Sequence, residues 1–288
     1  TWTRGETLNL TWQAAQKHKL TFYGHFNQRL VDCNNCAATV SPEAGLYFTH
    51  RPEYILQSTW SNPATNKLLF EGGFTFYNER WIFGPEPYNV NGYGPEAVIS
   101  KTESALGITY GANNVFTTAY NHQWNFRAAA NYVTGSHSFK VGVQNMWGTR
   151  QYSYDTNQAQ AWTLNRGIPT TITEYARPLI DLEKLKAALG LYAQDRWTVG
   201  RLTLNYGVRF DYHNAYVPAQ NLAAIPFVGA RQYDAISNVP NWKDITPRVG
   251  ATYDLFGNGK TVVRANWGNY LASESTNMAT LNNRVNTS

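Results

Sequence analysis

Charge is scarce in this sequence. Asp, Glu, Lys and Arg make up 15% of its 288 residues, against about 25% in an ordinary soluble domain. Long apolar runs are missing too: none approaches the roughly 18 residues a membrane helix needs, and mean hydropathy is negative. Both shortages weigh against a helical membrane protein and against a typical soluble enzyme. Cysteine is limited to Cys33 and Cys36, too few for a disulfide-rich scaffold or a zinc array. The histidines, His18, His25, His50, His122, His137 and His213, are scattered, without a metal-binding spacing such as H-E-x-x-H. No G-x-S-x-G elbow, phosphate loop, nucleophile–base pair or paired carboxylates stand out. No enzyme activity, cofactor or metal is therefore expected. The net charge is +5, but Lys and Arg are dispersed, which argues against nucleic acid as a partner. The chain opens on Thr1-Trp2-Thr3-Arg4 and stops in polar Asn286-Thr287-Ser288. Neither a Met start nor a signal peptide is present, so 1–288 reads as one partial domain of a longer exported protein.

What the sequence has instead is aromatics and alternation. Tyr and Trp number 19 and 10, and many fall on strand-like repeats. Leu185, Ala187, Leu189, Leu191 and Ala193 take odd positions, with Lys184, Lys186, Tyr192, Gln194 and Arg196 between them. After the turn Val199-Gly200-Arg201, Leu202, Leu204, Tyr206, Val208, Phe210 and Tyr212 alternate with Thr203, Asn205, Gly207, Arg209 and Asp211. A strand sends successive side chains to opposite faces, so one face is apolar and one polar. Arms of about a dozen residues suit a tilted bilayer crossing, which takes about nine to eleven.

Ten such arms are predicted. Apolar positions mark them at Leu8–Trp12, Leu20–Phe26, 48–60, Leu68–Phe76, Tyr120–Tyr132, Phe139–Trp147, the pair above, Val249–Leu255 and Val263–Leu271. Short turns alternate with long connections at about 27–47, 82–116, 152–183 and 214–244. That rhythm puts every short turn at one end and every long loop at the other, as in outer-membrane barrels. A tilted strand climbs about 2.5 Å per residue along the membrane normal. Trp12, Trp60, Tyr132, Trp197 and Tyr253 lie near the short turns, and Trp124, Trp147, Phe210 and Trp267 lie about 15–20 Å higher. They are placed as two girdles around an apolar band, although strands favour aromatics in any setting.

Two stretches carry a family resemblance. One is Leu191-Tyr192-Ala193-Gln194-Asp195-Arg196-Trp197-Thr198 leading into Leu202-Thr203-Leu204-Asn205-Tyr206-Gly207-Val208-Arg209-Phe210-Asp211-Tyr212. The other is Thr246-Pro247-Arg248-Val249-Gly250-Ala251-Thr252-Tyr253-Asp254, the turn from Phe256 to Thr261, then Val263-Arg264-Ala265-Asn266-Trp267-Gly268. Both resemble barrel strands of TonB-dependent receptors, and are most similar to the type with a carboxypeptidase-regulatory-like N-terminal domain. The likeness is specific over about 185–272. It implies a barrel of about 22 strands, an internal plug domain, and transport driven by the TonB complex. The expected fold is all-β: an antiparallel up-and-down transmembrane β-barrel segment of about ten strands, in the cell outer membrane. Plug, N-terminal domain and final strands are expected to be missing from this piece. A passive porin or a surface adhesin barrel is the alternative.

Candidate sites follow from this placement. Arg209, Asp211, Arg248, Asp254, Arg264 and Asn266 take the lumen-facing parity. They contact a plug or ligand, or pair with each other across strands. Tyr88, Tyr93, Trp162, Tyr233 and Trp242 lie in predicted external loops. Their faces suit an oligosaccharide, siderophore or peptide, and ordering of the loops accounts for them equally. Cys33 and Cys36 read as a short-range disulfide outside the cell. Outer-membrane lipid is the expected partner of the apolar face. As a piece, the ten strands are expected to form either an open curved sheet or a forced small closure.

Overall fold

A computed structural model describes residues 1–87, 94–225, 228–272 and 274–287. Along the chain come β1 (Trp2–Ala15), β2 (His18–Val31), β3 (Leu46–Pro63), β4 (Leu68–Pro85), β5 (Ser100–Glu103) and β6 (Ile108–Tyr110). There follow β7 (Phe116–Thr134), β8 (His137–Asp155), β9 (Gln160–Asn165), β10 (Ile168–Glu174), β11 (Leu179–Val199) and β12 (Leu202–Tyr216). The last strands are β13 (Gln220–Leu222), β14 (Arg231–Tyr233), β15 (Asn241–Asp254) and β16 (Val262–Gly268). A short helix, α1 (Asn277–Asn282), precedes a 3₁₀ turn at Arg284–Thr287. Among the described residues no helix is long and apolar enough to cross a membrane.

Ten strands form one antiparallel meander in the order β1-β2-β3-β4-β7-β8-β11-β12-β15-β16. Each predicted arm is one of these strands. Two of the marked apolar positions, Leu255 and Leu271, fall outside, because β15 ends at Asp254 and β16 at Gly268. Among the described residues β1 and β16 each pair on one side only, so the sheet is open. Short turns need backbone that only glycine adopts without strain: Gly135 and Gly200 have φ of 51° and 57°.

Register puts the predicted faces together. One rung runs Trp12, Leu20, Trp60, Gly72, Ala128, Val143, Leu191, Phe210 and Ile245. The neighbouring polar rung runs Arg127, Gln144, Gly190, Asp211 and Asp244. Leu185 departs from the predicted parity. A bulge at Lys186 shifts the register between Leu185 and Ala187 and turns Leu185 to the polar side. There it is buried against Ala215, Val217 and Ala279 of α1.

The strands outrun the bilayer. β11 has 21 residues, a climb of about 50 Å, where the apolar band needs about 25 Å. Its outer half therefore stands beyond the hydrocarbon. The long connections carry strands of their own there. β10, β9, β5 and β6 make a second sheet, in which β5 pairs in parallel with β9. A bridge from Val40 to Thr109 ties the first loop to this sheet. β13 and β14 form a small hairpin.

Candidate functional site

The polar face of the sheet builds two cavities. The larger, about 740 Å³, is lined by Arg127, Arg209, Asp211, Asp244, Trp242 and Tyr270 among others. The second, about 570 Å³, is shared by Arg209, Arg248, Asn205 and Asn266. Strand alternation supplies these side chains, and glycines make room for them. Arg209 lies across Gly190 on the next strand, and Tyr192 lies across Gly142; a Cβ at either glycine would strike the overlying side chain.

Three arginines (Arg127, Arg209, Arg248) and three carboxylates (Asp211, Asp244, Glu274) line the larger cavity, but the register crowds two of the carboxylates together. Asp211 and Asp244 are direct cross-strand partners, an arrangement that repels. Arg209 offsets it by donating from Nε to both Asp211 oxygens, at 2.8 and 2.9 Å. Arg248 lies 4.5 Å from the Tyr270 ring centroid, a cation–π contact. The chain after β16 thus lies over the polar face: Tyr270, Leu271, Ala272 and Glu274 all line the cavity. Trp242 and His213 are cross-strand neighbours at its upper rim, with ring centroids 6.0 Å apart.

Above the cavity, that same chain is pinned beyond the bilayer. Asn283 is 1% exposed and donates to Asp181 and Glu183 at 2.9 and 3.0 Å. Arg150 Nη1 bridges the same two carboxylates at 2.8 and 2.7 Å. Asn286 adds a bond to Asp181, and Gln220 donates to Asn283. Burial, followed by the hydrogen bond shared with Asp181, pushes the Glu183 pKa up to about 7. Burial opposes the Asp181 carboxylate as well, but bonds from Glu183, Arg150 and Asn286 outweigh it and lower its pKa.

The predicted residues divide. Arg209, Asp211, Arg248, Asn266 and Trp242 meet in the two cavities. Asp254 does not join them: its carboxylate accepts from Gly257 and Gly259 N–H at 3.0 and 2.8 Å and closes a turn. Arg264 is exposed on β16 and lines neither cavity. Trp162 sits on β9 with the Lys101 ammonium 6.0 Å from its ring centroid, and Tyr233 pairs with Gln220 in the small hairpin. Tyr88 and Tyr93 lie outside the described residues. Cys33 and Cys36 are joined, with Cα atoms 5.2 Å apart; the Cys33 N–H donates to buried Glu86. Arg127 and Asp244 were legible from parity yet passed over. Asp181 and Glu183 were missed as a carboxylate pair, though their i, i+2 spacing puts them on one face of a strand. Among the described residues no His, Cys, Asp and Glu cluster is arranged to hold a metal ion.

A sequence model of the outer membrane beta barrel domain matches residues 8–287. The chain belongs to that family. Its place is the cell outer membrane, with the apolar face against lipid. Solved structures agree on the fold. The outer membrane transporter YddB from Escherichia coli is 15% identical with a TM-score of 0.59, over 92% of this chain and 31% of that one. The ferric yersiniabactin uptake receptor FyuA from Yersinia pestis is 12% identical at 0.53, over 88% and 35%. The ferric-catecholate import receptor Fiu from E. coli K12 is 12% identical at 0.55, over 92% and 43%. The chain therefore spans less than half the length of each. No curated protein matches it in sequence.

Proposed function

We propose that this chain is wall, lumen lining and ligand-capturing loops of a TonB-dependent receptor, one that imports its ligand actively. The observation that carries the reading is the larger polar-face cavity, overlaid by the chain after β16. A wall that only separated two compartments would have no use for Asp211 facing Asp244 beneath Trp242 and Tyr270. Aromatic faces beside carboxylates and guanidinium groups suit a ligand rich in hydroxyls or amides: an oligosaccharide, siderophore or peptide. In this reading the remaining barrel strands, the plug and the TonB-contacting segment belong to the same full-length protein. Arg209, Arg248 and Asn266 meet plug or ligand from the wall side, and the external Trp162 and Tyr233 belong to the capture surface.

The test is uptake by cells expressing the full-length protein, with a labelled panel of those three ligand classes. Accumulation of one class should fall at least tenfold in cells without TonB, and also in Trp242→Ala and Asp244→Asn variants. Accumulation that persists unchanged without TonB would replace active import with a passive pore.

A further inference from the structure

The lipid-facing wall carries a feature that a plain barrel surface does not need. Asp195 has the outward parity of Leu191, Ala193 and Trp197, yet its side chain is 3% exposed. Its cross-strand partners are Phe139 and Tyr206. Three donors surround the carboxylate: His137 Nδ1 at 2.7 Å, Tyr206 OH at 2.7 Å and Ser138 N–H at 3.1 Å. His137 in turn is sandwiched between Phe139 and Trp197, with ring centroids at 5.2 and 5.5 Å and both planes within 5°. With Nδ1 committed to Asp195, the other ring nitrogen, Nε2, has no hydrogen-bond partner among the described residues. The His137 side chain is 32% exposed. It begins β8 directly after a short turn, at the height of the periplasmic headgroups.

Directly above this cluster lies an apolar groove of about 700 Å³. Its floor is Ala128, Ala130, Val143, Ala193 and Val208, on adjacent strands. Trp60 and Phe70 wall one side, and Phe210 and Ile245 the other. Ala193 is two residues from Asp195, about 7 Å along the strand, so the groove runs down to the polar cluster. In the membrane only lipid reaches this face.

Charge fixes the kind of lipid. Of the five short turns, four carry a Lys or Arg just before the next strand: Lys17, Lys67, Arg201 and Lys260. The fifth carries His137. Its two neighbours in the sheet are the turns bearing Lys67 and Arg201, joined to its own strands by Val133 N–H to Lys67 O and Thr198 N–H to Ser136 O.

We infer that this wall holds one phospholipid of the periplasmic leaflet, with an acyl chain in the groove and its phosphate accepting a hydrogen bond from His137 Nε2. Asp195 orients the imidazole and balances its charge when both nitrogens carry protons. Phe139 and Trp197 fix the ring plane, and the basic turns on either side favour an anionic headgroup. The inference rests on which face meets lipid and not on the transport reading.

The test is native mass spectrometry of the full-length protein extracted from outer membranes in mild detergent. Palmitoyl-oleoyl phosphatidylglycerol is compared with palmitoyl-oleoyl glycerol, which has the same chains and no phosphate. One phosphatidylglycerol should be retained per protein, at least tenfold more persistently than the diacylglycerol. His137→Gln should lower phosphatidylglycerol retention at least tenfold and leave the weak diacylglycerol retention unchanged. Ala193→Phe, which fills the groove, should remove both, whereas Val263→Ala on a distant lipid-facing strand should change neither. Equal retention of the two lipids by the unaltered protein overturns the inference without reference to any variant. Undiminished phosphatidylglycerol retention in folded His137→Gln overturns it as well.

Discussion

The short-turn half of this sheet and its loop half solve opposite problems. In the short-turn half Leu191, Val208, Val249 and Val263 are 44–54% exposed, and the strands enclose no core. Hydrocarbon does that work, so alternation alone suffices. In the loop half the same strands stand in water. There the structure buries polar hubs, with Glu183 at 0% and Asn283 and Glu86 at 1%, and packs Leu185, Ala215, Val217 and Ala279 together. One continuous strand such as β11 therefore changes its rules part-way along. The Lys186 bulge, which turns Leu185 inward, sits in the outer part where the second set applies.

The comparison breaks most readily in the lipid half. Val208→Arg or Ala251→Arg should destabilise the protein by about 2–4 kcal/mol, while inward Asn205→Arg should cost far less. Urea titration of vesicle-inserted protein reads both, and equal losses on the two faces would falsify the lipid-facing assignment. In the water half, Asn283→Ala removes one of the two donors that the buried carboxylates Asp181 and Glu183 share, leaving Arg150 alone to bridge them, a local loss of about 2 kcal/mol. Trypsin cleavage after Arg284 should accelerate, with little change in the urea midpoint of the whole sheet. Gly190→Ala probes the polar face between them. The added methyl displaces Arg209 from its Asp211 pair, for about 1–2 kcal/mol, and ligand uptake should fall with it.

The smallest expected effect is a pH dependence confined to the loop half. The folded Glu183 pKa, about 7, lies above its ordinary 4.5. Its contribution is thus complete below about pH 4.5 and fades as pH rises through 7. Asp181, shifted down, loses its contribution only in acid. Hydrogen exchange of amides 277–286 should therefore show protection falling between pH 5.5 and 8, beyond the intrinsic rate change, and Glu183→Gln should flatten that fall.

The same division decides what the sequence made legible. Arms in the lipid half announce themselves by period two, because every outward residue faces one solvent and every inward residue another. Arg209, Asp211, Arg248 and Asn266 could be placed on that basis. Asp195 breaks the pattern, and only its cross-strand donors explain why. The loop half gives no such period. Asp181 finds Asn283 across 102 residues and Ser100 finds Ala161 across 61, and long-range pairing leaves no local mark on composition. Asp254 shows the converse error: correct parity, but a carboxylate spent on the amides of its own turn.

The parallel pairing of β5 with β9 has a mechanical consequence. Two loops leaving the sheet at different points share a ladder of backbone bonds, and Val40 fastens a third to its margin. A canopy braced in this way swings as a plate rather than as independent fingers.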